Sequence, residues 1–206
     1  MPDPVSLRLA LATNNSHKVT ELSRLLHIPL VSPASLGLRM DVEETGVTFE
    51  ANASLKSRWL CEVAGIPAIA DDSGIVVDAL NGEPGIYSAR YGGDGLDDRD
   101  RRLLLVKNMI GVPDALRTAR FVCVIALSIP GEPDLFFRGE AEGMILSEER
   151  GEGGFGYDPI FLDPESGRSF AELTAAEKDA RSHRGRAIRL LKQWLTAEGP
   201  GTLKEL

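Results

Sequence analysis

Two neighbouring runs constrain the fold more than any other feature of this chain. "ARFVCVIALSI" (119–129) and "DLFFRGEAEG" (134–143) are separated only by the turn "PGEP". In the second run Leu135, Phe137 and Ala141 alternate with Arg138, Glu140 and Glu142. Successive side chains of a strand leave on opposite faces, so this alternation predicts an antiparallel strand pair with one wet face.

Helical patterns surround that pair. "LRLALATNN" (7–15) reads as a short strand entering a polar loop, and "HKVTELSRLL" follows with Val19, Leu22, Leu25 and Leu26 at helical spacing. A second helix is expected to start near Thr48 and to close at Gly65 and Pro67, with Phe49, Ala53, Leu60 and Val63 on one stripe. "RDRRLLLVKNMI" (99–110) also reads as helix, and Ser182 is a plausible cap for a last one bearing Ile188, Leu191 and Leu195. "PAIADDSGIVVDAL" (67–80) reads as two short strands interrupted by a polar turn. "NGEPGIYSARYGGDGLDD" (81–98) is a glycine-rich loop too long to be a mere connection. The expected class is α/β, a mixed-sheet fold of two lobes with a central substrate cleft, forming a single domain over residues 1–206.

Charge and cysteine usage narrow the partners. A formal net charge of −8 argues against a broad nucleic-acid footprint, which draws its affinity from clustered Lys and Arg. A small polyanion remains open, given a local basic pocket or a metal. The two cysteines, Cys61 and Cys123, fall in a helical and a strand segment and suit buried thiols in a reducing cytoplasm. No signal-like start and no run approaching the roughly 20 apolar residues of a membrane span is seen, so neither targeting nor membrane insertion is expected.

Several residues carry candidate chemistry. Thr13, Asn14, Asn15 and Ser16 sit at a predicted helix N-terminus, where free N–H groups favour an anion, and Lys18 adds a positive charge. The same residues equally suit a plain cap beside a surface lysine. Lys56 shares the stripe of the second helix, one turn after Asn52. It either snorkels to solvent or points its ammonium at anionic oxygens. Carboxylates gather in "DVEETG" (41–46) and in "ADDSG" (70–74), and hard divalent ions such as Mg²⁺ take oxygen ligands. With Lys18, Lys56, Lys178, His183 and Arg184 around them, they would form a metal-assisted phosphate site; each loop taken alone is also an ordinary solvated turn. "GGFGYDP" (153–159) offers Phe155 or Tyr157 to stack on a planar base and Asp158 to accept a ring N–H, or is a tight loop with core aromatics. An Arg or His donor at the base edge would favour a 6-oxo purine. The chain has no Walker-type loop, paired-Cys zinc spacing or G-x-S-x-G elbow.

Taken together, "ATNNSHKVTEL", "EETGVTFEANASLKSRW", "PAIADDSGIVVDALNGEPGIYSARYGG", "GGFGYDPIF" and "AELTAAEKDARSHRGRAI" resemble the Ham1-like inosine triphosphate pyrophosphatase family. Its bacterial members are the dITP/XTP pyrophosphatases. The resemblance spans nearly the whole chain in matching order. It implies a two-lobed α/β homodimer that hydrolyses noncanonical purine nucleoside triphosphates (ITP, dITP, XTP) to the monophosphate and pyrophosphate with Mg²⁺. It also implies residue roles. Thr13, Asn14, Asn15, Ser16, His17 and Lys18 match the phosphate loop, and Lys56 a further triphosphate contact. Asp72 matches the proton acceptor and a metal carboxylate, and Glu43 the other metal carboxylate. Ser73, Phe155, Gly156, Tyr157, Asp158, Lys178, His183 and Arg184 match the substrate-binding set. Asn14 stands where the family often has glycine, and Asp179 where asparagine is common. Asp71 and Asp72 are expected on opposite strand faces, which leaves Asp72 alone for base chemistry, with Asp71 supporting the turn or standing one layer behind the metal.

Overall fold

The computed structural model describes residues 9–197. The opening residues of the first expected strand, Leu7 and Arg8, lie outside them. One seven-stranded mixed sheet carries the fold. Its strands are β1 (Leu9–Leu11), β2 (Leu30–Val31), β3 (Ala68–Val77), β4 (Thr118–Ser128), β5 (Leu135–Ile145), β6 (Phe161–Asp163) and β7 (Arg168–Ser169), in the order β2-β1-β3-β4-β5-β6-β7. β1 runs parallel to β2 and β3, with Leu9 opposite Leu30 and Ala10 opposite Ala68. β6 is antiparallel to both β5 and β7, with Met144 opposite Leu162 and Leu162 opposite Ser169. The expected strand pair is β4 and β5, and β5 keeps its alternation: Phe137 and Ala141 are buried, Arg138 and Glu142 exposed.

The described residues divide into two compact units, one of 9–72, 124–138 and 186–197, the other of 73–123 and 139–185. In the first, α1 (Ser16–Leu26) starts where the Asn15 side chain accepts the His17 and Lys18 N–H groups at 3.0 and 3.2 Å. It stops at His27 in the left-handed region, φ 58°. α2 (Phe49–Ala64) is capped by Thr48, which accepts the Ala51 N–H, and ends on Gly65 at φ 67°. Leu60 and Cys61 of α2 pack with Ala10 and Ala12 of the β1 segment and with Ala68 and Ala70 of β3. The expected apolar stripe of α2 ends there: Val63, in the last turn, is 52% exposed.

The second unit holds α3 (Asp98–Asn108), α4 (Ala175–Arg181) and the start of α5 (His183–Ala197). Its core is aromatic, with Phe121 centred 4.5 Å from Phe161 and 5.8 Å from Phe170, against Leu105, Met109 and Tyr157. Thr174 and Glu177 form a capping box on α4, and Ser182 accepts the Gly185 N–H at 3.1 Å at the start of α5. Gly185 is required by close approach, since a Cβ there would lie 1.9 Å from the Asp179 carbonyl oxygen.

One expectation fails in β3. "PAIADDSGIVV" is not two strands broken by a polar turn but a single strand, and Asp71 and Asp72 are 1% and 5% exposed within it. A pair of carboxylates on a buried strand is tolerated when cations reach them, so the chain has no need to turn toward water.

Candidate functional site

In the first unit the cations come from two helices. Lys18, in the first turn of α1, places Nζ 3.2 Å from Asp71 Oδ1. Lys56, on the buried stripe of α2, donates to Asp72 Oδ1 at 3.0 Å, to the Asp71 carbonyl at 2.9 Å and to Glu44 Oε1 at 2.7 Å. It is 5% exposed, so its ammonium does not snorkel. The two aspartates obey strand alternation: Asp71 meets Lys18 through its side chain, while Asp72 meets Lys56. Asp71 therefore pairs with a helix-borne lysine and does not support a turn.

The ammoniums of Lys18 and Lys56 lie against three carboxylates, Glu44, Asp71 and Asp72. Burial raises the Asp72 carboxyl above its usual range, against the pull of Lys56 and Lys18, and the Glu44 charge adds to the rise. Burial pulls the Lys56 ammonium down, but Asp72, Asp71 and Glu44 together outweigh it and leave it raised. Asp72 Oδ2 is buried and has no hydrogen-bond partner among the described residues. Gathered carboxylates and the unpartnered Asp72 Oδ2 suit a small divalent cation, which often takes only one or two protein carboxylates and completes its shell with water and phosphate oxygens. Among the described residues no group of three or more His, Cys, Asp or Glu is placed to hold a metal ion by itself.

Within "DVEETG", Glu44 reaches Lys56, whereas Glu43 is exposed. In the segment that enters α1, Thr13 Oγ1 accepts the Asn15 N–H at 3.1 Å and Asn14 donates to the Met40 carbonyl at 3.0 Å. Asn14 lies outside the left-handed region, so glycine is not required there. A cavity of about 660 Å³ opens beside Thr13 and Asn14, with Arg39 and Asp41 on its wall. Asn52 was noted only for its spacing from Lys56; its Oδ1 accepts the Gly46 N–H at 2.8 Å and so fixes the acidic segment against α2.

In the second unit Phe155 is half-buried, with Lys178 Nζ 4.9 Å and Arg184 Cζ 5.7 Å from its ring centroid. Lys178 donates to Asp158 Oδ2 at 2.6 Å, and the same oxygen accepts the Phe155 N–H at 2.8 Å. Arg184 is 1% exposed and donates to Ser73 Oγ at 2.9 Å. His183 stacks on Phe121 at 4.6 Å with an interplanar angle of 10°. Tyr157 does not share the role open to Phe155. Its ring belongs to the core, its hydroxyl donates to the Ser88 carbonyl at 2.8 Å, and burial pushes its phenol pKa upward. Of the two aromatics, Phe155 alone is placed to stack on a ligand. Ser88, which also accepts the Ile75 N–H at 2.9 Å, gave no sequence signal, because its partners lie 13 and 69 positions away.

Fold and side chains define an α/β protein with a buried lysine–carboxylate cluster in one unit and an aromatic–cation set in the other. Comparison with known proteins gives the family. Residues 9–194 match the Ham1 family. The dITP/XTP pyrophosphatase of Staphylococcus epidermidis is 47% identical over 191 residues, 92% of this chain and 97% of that protein. A solved HAM1 protein from Coxiella burnetii superposes with a TM-score of 0.85 at 42% identity, covering 92% of this chain and 98% of that one. A Mycobacterium abscessus structure described as a nucleoside-triphosphatase and dITP/XTP pyrophosphatase gives a TM-score of 0.74 at 42% identity, covering 89% of this chain and 98% of that one. The chain belongs to the Ham1 family.

Proposed function

We propose that this protein hydrolyses deaminated purine nucleoside triphosphates, ITP, dITP and XTP, to the monophosphate and pyrophosphate. The observation that carries the reading is Asp72: a buried carboxylate with a raised pKa, one oxygen on Lys56 and the other without a partner. A general base serves best with a pKa drawn toward the working pH. The relatives named dITP/XTP pyrophosphatases supply the substrate class.

In this reading water attacks the α-phosphorus as its proton passes to Asp72 Oδ2. The new bond joins the water oxygen to the α-phosphorus, and the bond from that phosphorus to the bridging oxygen breaks, releasing pyrophosphate. Lys18 and Lys56 offset the charge that builds on the phosphate oxygens, and the N–H groups at the start of α1 receive the triphosphate. Asp72 and Glu44 would hold Mg²⁺, with Glu43 the carboxylate favoured by resemblance. When bound, the ion supplies charge neutralisation on the substrate oxygens. Phe155 stacks on the base, and Lys178 and Arg184 act as donors toward its 6-oxo edge.

A homodimer in the cytoplasm completes the proposal; among the described residues no helix is long and apolar enough to cross a membrane. The test is pyrophosphate release from ITP, dITP, XTP, GTP and ATP, with and without Mg²⁺. Rapid release from the first three, dependent on Mg²⁺, supports the reading. Orthophosphate as the product, or preference for ATP, overturns it.

A further inference from the structure

The segment that bears Phe155 is packed unevenly: Gly151 and Gly153 lie against the Ala171 backbone and Tyr157 is in the core, whereas Gly156, between Phe155 and Tyr157, has open space beside it. Gly151, Gly154 and Gly156 all have positive φ, at 78°, 69° and 59°, so three residues of this loop occupy a conformation that leaves the backbone free when unfolded. Behind the loop lies a cavity of about 210 Å³ whose wall includes Arg99, Arg102, Glu149 and Phe155. At Gly156 the contacts from α3 are polar. Arg102 NH1 donates to the Gly156 carbonyl at 2.8 Å, and Asp98 Oδ2 accepts the Gly156 N–H at 3.1 Å. Both hydrogen-bonding groups of Gly156 are thus held by one helix. Arg102 is itself steadied by Glu149, to which its Nε donates at 2.8 Å.

We propose that Asp98 and Arg102 are positioning residues for base recognition. By gripping Gly156 from both sides they fix the Phe155 ring before it and the turn leading to Asp158, whose carboxylate orders Lys178. Neither touches the phosphate cluster, which belongs to the other unit. The proposal rests on the function proposed above. Release of the grip lets the glycine loop relax toward the cavity, and Phe155 then spends less time where a base can stack on it. Loss of one charge-assisted hydrogen bond in such a place corresponds to about a tenfold change in affinity.

The test uses the full-length protein with Asp98→Ala, Asp98→Asn and Arg102→Ala. Two quantities are read: KM and kcat for dITP by pyrophosphate release, and inhibition of that release by inorganic tripolyphosphate, a probe with phosphates and no base. Asp98→Ala and Arg102→Ala should raise KM for dITP about tenfold and leave kcat within about threefold. Inhibition by tripolyphosphate should not change. Asp98→Asn keeps an acceptor for the Gly156 N–H and should restore the wild-type KM. An unchanged KM in both alanine variants overturns the proposal. So does weaker tripolyphosphate inhibition in step with KM, the mark of a merely structural defect. A wild-type protein that releases no pyrophosphate from dITP overturns the function reading first, and this proposal with it.

Discussion

Replacing Asp72 with Asn separates chemistry from stability, because the structure assigns opposite signs to the two effects. Burial raises the folded-state pKa of Asp72 despite its contacts with Lys56 and Lys18. A carboxyl whose pKa is higher folded than unfolded favours folding in its neutral form. Its stabilising contribution is complete below the unfolded pKa and is lost as pH rises through the folded pKa. Each unit of the shift is about 1.4 kcal/mol, so at neutral pH the ionised side chain works against the metal-free fold. Asn carries no charge and nearly the same shape. Metal-free Asp72→Asn should therefore unfold at the wild-type temperature or above it at pH 7. The wild type should gain on the variant as pH is lowered through the raised folded-state pKa. Turnover should move the other way: loss of a general base costs about 10²- to 10⁴-fold in kcat, or about 3–5.5 kcal/mol of barrier. Thermal denaturation between pH 5 and 8 and pyrophosphate release with saturating Mg²⁺ measure the two. Destabilisation of the variant by several kcal/mol at pH 7 would show that the Lys56–Asp72 pair stabilises the fold and that the sign used here is wrong. Unimpaired kcat would remove Asp72 from the chemistry.

Three further outcomes are expected. Glu44→Gln should raise the Mg²⁺ concentration needed for half-maximal activity by about tenfold, while Glu43→Gln changes it little, since only Glu44 reaches Lys56; a metal titration of both variants decides between them, and the reverse order would return the role to Glu43. Tyr157→Phe should cost about 1–3 kcal/mol of stability by leaving the buried Ser88 carbonyl without the phenol, with KM for dITP nearly unchanged; a large rise in KM at unchanged melting temperature would instead place Tyr157 against the base. Gly185→Ala puts a Cβ 1.9 Å from the Asp179 carbonyl and should cost about 1–3 kcal/mol in thermal unfolding, with a higher KM as α5 shifts under Arg184.

Local chemistry made much of this protein legible in its sequence. Helix boundaries follow from caps written in adjacent residues, Asn15 for α1, Thr48 with Gly65 for α2 and Ser182 for α5. The wet face of β5 follows from a period of two. Lys18 stood out at a helix N-terminus, Lys56 on an apolar helical stripe and Asp72 at the end of an apolar run, while Lys178 and Arg184 took their roles from the resemblance to the Ham1-like family.

What the sequence left open depended on those partners, which come from distant positions. Asp71 and Asp72 remain in one buried strand because α1 and α2 each bring a lysine to it, an arrangement that no window of sequence around "ADDSG" contains. Glu43 and Glu44 are chemically equivalent neighbours, and only the position of Lys56 selects Glu44. Phe155 and Tyr157 are both aromatic members of one glycine loop. The Ser88 carbonyl draws Tyr157 into the core, while Lys178 and Arg184 frame the half-buried Phe155. Residue type and spacing thus determined which groups could do chemistry; tertiary structure decided how each member of an adjacent pair is buried and partnered, because burial and pairing energies are set by segments remote in the chain.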